Sequence, residues 1–298
     1  MTRPQTDSRP LHERITAAII ADLERGVRPW TRPWSDDRSG VVSLPLRSTG
    51  EPYRGINVLL LWTEAVARCY RDPTWMTFRQ ALALGGHVRK GEHGAAVIYA
   101  GRVGEGRSDD EGETSEDRRR PWFLKAYTVF NLAQIEDLPE AFYAAREAAD
   151  RAPFDPIATA ERFFAATGAE VRHGGGQAFY LPSRDYVQMP PLDAFDDAQA
   201  YYATRGHETV HWTGHPRRVS RDFSSARFGD EGYAMEELVA ELGAAFLCAD
   251  LALALTPRTE HADYIGHWLK VLRNDPRAIF TAASHAQKAV DYLHDLQT

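Results

Sequence analysis

The feature that most constrains this chain is a pair of histidines, His207 and His211, four positions apart in a helix predicted over Asp197 to Trp212. Side chains with this spacing lie on one face of an α-helix, so both imidazoles can reach one metal ion. Glu208 lies beside them, where its carboxylate can take a proton from a metal-bound water. The pattern His-Glu-x-x-His therefore predicts a divalent metal site with Glu208 as catalytic base.

A third ligand must come from another segment, because a catalytic zinc has three protein ligands and one open position. His215 continues the four-residue spacing, but Gly214 and Pro216 predict that the helix ends before it. The longer pattern HExxHxxGxxH fails because Arg217 stands where its third histidine would be, and arginine binds no metal.

The favoured source of the third ligand is a long, largely apolar helix predicted over 233–255. Glu237 and Glu241 lie four positions apart on one face of it, and a buried carboxylate needs a compensating partner. We expect Glu237 to be the ligand and Glu241 to accept a hydrogen bond from a ligating histidine. The reversed assignment and a solvated pair of glutamates stay open. Two histidines and a glutamate suit Zn2+, and also Mn2+ or Co2+.

Charge is distributed unevenly along the chain. The net charge of −7 argues against indiscriminate nucleic-acid binding by the whole chain. The acidic excess falls on residues 141–298, whereas acidic and basic residues balance in residues 1–140. Without the charged, glycine-rich segment 101–120, the first part is mildly basic. This asymmetry favours two domains with different partners.

Secretion and membrane insertion are not expected. The longest apolar stretch, Gly55 to Trp62, is far shorter than the roughly 20 residues of a membrane helix, and no apolar segment follows the polar N-terminus. Cys69 and Cys248 are far apart within helical patterns, which argues against a disulfide framework or a cysteine-rich zinc site. We therefore expect a cytoplasmic protein without a membrane partner.

Hydrophobic periodicity predicts an α+β protein of two domains, the second mostly helical. The expected boundaries are residues 1–140, a linker over 141–156, and residues 157–298. A solvated loop over 101–120 is expected to join two strands of the first domain. The predicted elements are helices at 11–25, 56–70, 77–84, 157–167, 197–212, 233–255, 260–273 and 276–296, and strands at 95–100, 123–131, 168–173, 174–182 and 185–190.

Two segments of the first predicted domain could bind single-stranded DNA, which is typically held by a basic groove with aromatic platforms. The irregular segment 28–34 alternates arginine with tryptophan, and a glycine-flanked basic turn lies at 89–93. The alternatives are that the tryptophans pack the first helix against the sheet and that the turn is an ordinary solvated loop. The candidates for DNA contact are Arg28, Trp30, Arg32, Trp34, Arg54, Asn57, Arg89 and Lys90.

These motifs resemble those of a known family. YYATRGHETVHWTGH and EELVAELGAAFL are similar to the zincin-like domain of ArdC-type antirestriction proteins, and GGHVRKGEHGAAVIYA and LKAYTVFNLAQIEDLP to that family's single-stranded-DNA-binding domain. The resemblance covers about residues 10–296. It implies a mobile-element protein, such as a plasmid carries, that binds single-stranded DNA and protects incoming DNA from restriction. The family's pattern places the site at His207, Glu208, His211, Glu237 and Glu241.

Three functions stay open at this point. The chain could be an antirestriction-type protein with a metallopeptidase site for a peptide or restriction-enzyme target. It could instead coat DNA and hold a purely structural metal, or be a free-standing metallopeptidase. Glu208 favours the first function over the second, because a structural metal needs no base beside it. Salt-dependent binding of DNA would separate the first from the third.

Overall fold

The structure, a computed structural model, describes residues 9–28, 30, 43–102, 122–143, 155–223, 231–254 and 261–297. The chain divides into two compact units. The helical unit contains the described residues within Met1–Leu44, Arg54–Ile56 and Pro153–Thr298, and the sheet unit those within Pro45–Tyr53 and Asn57–Ala152. Within the described ranges, no helix combines the length and apolar character needed to cross a membrane.

Helix α1 (Leu11–Glu24) belongs to the helical unit. Its buried residues Ile15, Ile19 and Leu23 recur every four positions, which is the spacing of one helix face. The hydroxyl of Thr16, on the same helix, donates a 2.6 Å hydrogen bond to the carbonyl of Pro276. The sequence predicted α1 as part of a domain over residues 1–140. The structure places it with the C-terminal half, because C-terminal residues cover its apolar face.

The described part of the sheet unit includes a four-stranded sheet, a two-stranded ribbon and the helices α2 and α3. An apolar cluster that includes Met76 and Leu132 fills its interior. Its elements are α2 (Ile56–Arg68), α3 (Phe78–Ala83), β1 (Leu46–Arg47), β2 (Thr74–Thr77), β3 (His87–Val88), β4 (Ala95–Arg102), β5 (Trp122–Asn131) and β6 (Ile135–Glu136).

The main sheet has the strand order β1-β2-β5-β4, in which only β1 and β2 are parallel, and β3 pairs with β6 in the ribbon. Strands β4 and β5 pair from Ala95 opposite Val129 to Arg102 opposite Trp122. Gly94 permits this close approach, because a Cβ atom there would lie 2.6 Å from the Val129 carbonyl oxygen. Strands β1, β2, β3 and β6, each of two to four residues, were not predicted from the sequence.

The rest of the helical unit contains, besides its helices, a three-stranded sheet with the order β7-β9-β8. Strand β9 is parallel to β7 and antiparallel to β8. The elements are α4 (Pro156–Ala166), β7 (Glu170–His173), β8 (Phe179–Leu181), β9 (Tyr186–Met189), α5 (Ala198–Thr213), α6 (Glu231–Asp250), α7 (His261–Asn274) and α8 (Ala278–Asp295).

Helix α6 is the centre of the helical unit. Every residue from Glu237 to Ala249 is buried, as expected for a helix that is apolar on nearly all sides. It packs against α5, α7 and α8. Gly243 lets α5 and α6 approach closely, because a Cβ atom there would lie 2.8 Å from the Val210 side chain. The two polar pairs identified in the sequence therefore lie on neighbouring, tightly packed helices.

The predicted α+β class is confirmed. The helices of the C-terminal half begin and end within a few residues of their predicted bounds. Most of the charged segment 101–120 and of the predicted linker 141–156 lies outside the described residues, so both predictions remain open.

Candidate metal centre

Helix α5 holds three of the predicted site residues and ends where the sequence indicated. The Asp197 carboxylate caps its first turn by accepting a 2.7 Å hydrogen bond from the Ala200 amide. The helix stops at Thr213, with Gly214 as its C-cap. His215 lies beyond this end, and its Nδ1 accepts a 3.2 Å hydrogen bond from the Arg217 amide. It is not part of the cluster described next.

Three side chains from α5 and α6 converge in the interior. The Nε2 atoms of His207 and His211 are 3.2 Å apart. Glu237 places one carboxylate oxygen 3.5 Å from His207 Nε2 and the other 3.5 Å from His211 Nε2. Within the described part of the chain, these are the metal-ligating side chains whose donor atoms lie close enough to share one ion.

The separations of these donor atoms fit a divalent metal. Zinc bonds to nitrogen and oxygen of about 2.0–2.2 Å place two tetrahedral ligands roughly 3.3–3.5 Å apart. The three distances in the cluster are 3.2, 3.5 and 3.5 Å. Two imidazoles and one carboxylate are also a donor set known from catalytic zinc sites. Geometry and chemistry therefore agree with the ligand set expected from the sequence.

Glu236 and Arg221, which the sequence analysis did not identify, orient His211. Glu236 Oε1 lies 3.0 Å from His211 Nδ1, and a proton held there directs Nε2 toward the cluster. Arg221 donates to both Glu236 oxygens, at 3.1 and 2.7 Å. Its guanidinium also donates to the Val210 carbonyl and the Thr213 hydroxyl, both at 2.6 Å. Arg221 thus ties the end of α5 to the carboxylate that holds His211.

Glu241 approaches the other histidine. Its Oε2 lies 3.8 Å from His207 Nδ1, which is within ion-pair range but beyond a hydrogen bond. Its Oε1 accepts hydrogen bonds from Arg28 Nη1 at 3.0 Å and from Trp30 Nε1 at 3.2 Å. The predicted hydrogen bond from a histidine to Glu241 stays a prediction.

Burial and charge act in opposite directions on the titratable groups of the cluster. Burial lowers the pKa of His211, but the Glu237 and Glu236 carboxylates outweigh this effect and raise the pKa to about 9. Burial raises the pKa of Glu237, but His211 and His207 lower it to about 2. In each case the opposite charge of the partner outweighs desolvation. The imidazoles and carboxylates are therefore strongly coupled.

Two further groups border the cluster. Glu208 is buried on α5, and its charge contributes to the raised pKa of His211. Tyr233, in the first turn of α6, contributes to the lowered pKa of Glu237, and its hydroxyl lies 3.1 Å from that of Tyr264. Burial raises the pKa of Tyr233. The sequence analysis did not identify Tyr233, because aromatic residues at helical spacing are usual in a core.

The structure contradicts the predicted DNA contact of Trp30. Its ring is 1% exposed and meets the Trp268 ring edge to face, with 6.0 Å between centroids. A base has no free face on which to stack, so the packing alternative is correct, although the partner is helix α7 and not the sheet. The Arg28 side chain is also largely buried against Glu241, which removes it from a DNA surface. Arg32 and Trp34 lie outside the described residues.

The other residues predicted to contact DNA differ in their exposure and in the contacts that their side chains already make. The Asn57 amide accepts from the Ile98 amide at 2.7 Å and donates to its carbonyl at 2.8 Å, so it holds α2 to β4. Arg54 is exposed and forms an ion pair with Asp291. Arg89 is exposed and pairs with Glu92 at 2.8 Å, and Lys90 is exposed. Arg89 and Lys90 thus stay candidates, whereas the Asn57 side chain has a structural role.

The sheet unit also exposes two tyrosines that the sequence analysis did not identify. Tyr99 on β4 is 51% exposed, and Tyr127 on β5 is 42% exposed. Tyr99 lies directly opposite Lys125, two positions from Tyr127, so the three side chains share one face of the pair. Lys125 Nζ lies 5.2 Å from the Tyr127 ring centroid. The alternation of apolar and polar residues along these strands gave no reason to expect two large aromatic rings on the face exposed to solvent.

Comparison with known proteins connects both halves of the chain to one family. Residues 158–285 match the family model of a zincin-like metallopeptidase, and residues 9–130 match that of the N-terminal domain of anti-restriction factor ArdC. An uncharacterized protein of Sinorhizobium fredii, y4eC, is 43% identical over 100% of this chain and 96% of that protein. DNA primase TraC of Escherichia coli is 38% identical over 96% of this chain, which spans only 27% of the primase.

Two solved structures have the same fold over nearly their whole length. The metal-free structure of antirestriction protein ArdC from plasmid R388 is 43% identical, with a TM-score of 0.79 over 97% of this chain and 98% of that one. The Mn(II)-bound structure of that protein is 41% identical, with a TM-score of 0.78 over 97% and 99%. The chain therefore belongs to the ArdC family of antirestriction proteins, with an ArdC-type N-terminal domain and a zincin-like metallopeptidase domain.

Proposed function

We propose that this protein is an antirestriction factor of a mobile element that binds single-stranded DNA and carries a divalent-metal site of the metallopeptidase type. The observation that carries the proposal is the convergence of His207, His211 and Glu237, with donor atoms spaced as tetrahedral ligands are. The R388 protein has been solved with Mn(II) bound, which supports a divalent ion as a ligand of this chain as well. Zinc is the first candidate, followed by manganese and cobalt.

Each residue around the cluster has a different chemical role in this proposal. A bound divalent ion would supply Lewis acidity and lower the pKa of water. Glu208 is the proton acceptor, because it is buried beside His207 and has no place in the ligand set. Glu236 holds a proton on Nδ1 of His211, which leaves Nε2 for the ion. Glu241 supports His207 from the opposite side of the cluster.

Replacing Glu208 tests whether the site is catalytic. Glu208→Gln keeps the size of the side chain and removes its ability to accept a proton. We expect the variant to bind zinc as the parent does and to lose cleavage of any peptide that the parent cleaves, such as a restriction-enzyme subunit. Protection of transferred DNA from restriction is then measured in a recipient cell. Full protection by Glu208→Gln would favour the alternative in which the metal is structural and DNA coating suffices.

The sheet unit supplies the features that support binding of single-stranded DNA. Such DNA is held by stacking on aromatic rings and by cations along the backbone. Tyr99 and Tyr127 offer exposed rings, Lys125 lies between them, and Arg89 and Lys90 are exposed in the turn that precedes β4. The match of residues 9–130 to the ArdC N-terminal domain supports the same assignment.

Titration of the full chain with single-stranded and duplex oligonucleotides tests this binding. We expect a preference for the single strand with little dependence on its sequence, because every base has a π-face. Tyr99→Ala and Tyr127→Ala should each weaken binding by about 1–3 kcal/mol, the usual contribution of one stacked base. Tyr143→Ala is the matched control, since Tyr143 is equally exposed in the sheet unit but lies outside the β4–β5 pair. Equal binding of both DNA forms would favour the free-standing metallopeptidase.

A further inference from the structure

Arg28 and Trp30 precede the sheet unit in the chain but belong to the helical unit. They lie 213 and 211 positions before Glu241, and both donate to the same oxygen of its carboxylate, Oε1. The other oxygen, Oε2, lies 3.8 Å from His207 Nδ1. Two residues near the N-terminus of the chain therefore hold one oxygen of Glu241, and its other oxygen faces His207 of the metal cluster.

A buried carboxylate at the position of Glu241 needs such donors. Moving an ionised carboxylate away from water is strongly unfavourable unless a positive charge and hydrogen bonds compensate it. The Arg28 guanidinium supplies the charge, and the Trp30 indole supplies a neutral N–H. Without Arg28, the carboxylate would lose its charged donor and turn toward water, which would alter its position beside His207.

A second series of contacts connects Trp30 to the start of helix α6, which carries Glu237. The Trp30 ring meets Trp268 edge to face, and Trp268 stacks on Tyr264 with 6.3 Å between centroids. The Tyr264 hydroxyl lies 3.1 Å from that of Tyr233, which is one turn before Glu237 on α6. The contacts of Trp30 thus lead both to Glu241 beside His207 and to the turn of α6 that precedes Glu237.

We infer that Arg28 and Trp30 are positioning residues of the metal centre, acting on His207 through Glu241. The inference rests on the proposed metal site. It places part of the centre outside residues 158–285, the segment that matches the metallopeptidase family model. The N-terminal segment that the family places with the DNA-binding domain thereby takes part in metal affinity.

The test measures metal affinity of the full chain by competition with a chromophoric chelator, using zinc alone and manganese alone. Arg28→Met removes the charge but keeps most of the stem, and we expect a 10–100-fold loss of affinity, as is typical when a partner of a metal-ligating side chain is removed. Arg28→Lys should recover part of that loss. Trp30→Phe keeps an aromatic ring and removes the N–H, and a loss of several-fold is expected.

The matched control is Arg25→Met, because Arg25 lies three residues before Arg28 and pairs on the surface with Asp22. Its metal affinity should equal that of the parent. The visible absorption spectrum of the cobalt-loaded protein is a second readout. A change of ligand geometry shifts its bands in Arg28→Met, whereas looser packing alone lowers the melting temperature and leaves the spectrum unchanged.

Each outcome supports or overturns the inference. Parent-like metal affinity and cobalt spectra in Arg28→Met and Trp30→Phe, with lower melting temperatures, would show that the segment only packs the core. If Arg28→Met does not fold, Arg28→Lys and Trp30→Phe decide the question by the same two measurements. A parent chain that binds no metal would remove the proposed site itself, and that result is recognised before any variant is compared.

Discussion

The helical unit and the sheet unit use charged side chains in opposite ways. In the helical unit, Glu237 and Glu241 are buried, and each lies against an imidazole or a guanidinium. In the sheet unit, Arg89, Lys90 and Lys125 lie exposed on the surface. Buried charges depend on their partners, so removing one partner typically costs about 3–5 kcal/mol. An exposed ion pair contributes about 0–1 kcal/mol. The two regions should therefore respond very differently to substitution.

The largest expected difference in metal binding is between alanine variants of His211 and His215, which lie four positions apart. His211→Ala removes a proposed ligand and should cost several kcal/mol of metal binding, out of roughly 10–16 kcal/mol for structural zinc sites. His215→Ala removes an imidazole outside helix α5 and should leave about one ion per chain. Elemental analysis after dialysis measures both. Stoichiometric metal in a His207→Ala/His211→Ala double variant would disprove the site.

Two arginine–glutamate pairs of the helical unit test the contrast between buried and exposed charge. The Arg221 side chain is 0% exposed and holds Glu236, whereas Arg273 pairs with Glu24 on the surface. Arg221→Met should lower the free energy of unfolding by about 3–5 kcal/mol because it removes a fully buried guanidinium and leaves the partly buried Glu236 carboxylate without its charged partner. Arg273→Met should lower it by less than about 1 kcal/mol. Urea unfolding of the metal-free chain compares them. Equal losses would contradict the contrast.

The two glutamates of α6 separate direct ligation from support. Glu237→Ala removes a carboxylate that lies 3.5 Å from both Nε2 atoms and should nearly abolish metal binding. Glu241→Ala should weaken it by about 10–100-fold, as outer partners of ligands do. Chelator competition measures both affinities. A site that is emptied by Glu241→Ala and retained in Glu237→Ala would reverse the assignment.

The smallest expected effect lies on the exposed surface of the sheet unit. Replacing Arg89 and Lys90 together with glutamine should reduce the slope of log K against log salt for single-stranded DNA by about 1–1.5, since each phosphate contact contributes roughly 0.7. Lys270→Gln/Arg273→Gln, an exposed basic pair of the helical unit, is the control. An equal change of slope in both double variants would show a charge effect without a defined DNA surface.

The helices that hold the metal cluster could be predicted because their signals are local. The four-residue spacing of His207 and His211 and the stop at Gly214 require no knowledge of the rest of the chain, and the structure shows the helix with that end. That Glu237 lies close to the two histidines could also be predicted, because a carboxylate in an apolar helix requires a positive partner or a metal.

The interpretation of Trp30 failed for the opposite reason. Alternating arginine and tryptophan next to prolines predicted an exposed segment, but the Trp30 ring packs against Trp268 and its indole donates to Glu241, 211 positions away. Arg221 was missed on similar grounds, because its two hydrogen bonds to Glu236 arise only when α6 packs beside α5, and those to Val210 and Thr213 only when the chain after α5 folds back on the helix end. Contacts of this kind leave no periodic signal in one sequence.

Gly243 has a consequence for the choice of ion. It contributes no ligand, yet its missing side chain sets the spacing of the two helices that carry all three proposed ligands. A methyl group there would meet the Val210 side chain at 2.8 Å, so α5 and α6 would have to move apart. Metal–ligand distances tolerate only about 0.2 Å. Gly243 therefore fixes the separation of the two ligand-bearing helices. Gly243→Ala should shift the metal preference of the site from zinc toward the larger manganese ion before it unfolds the chain.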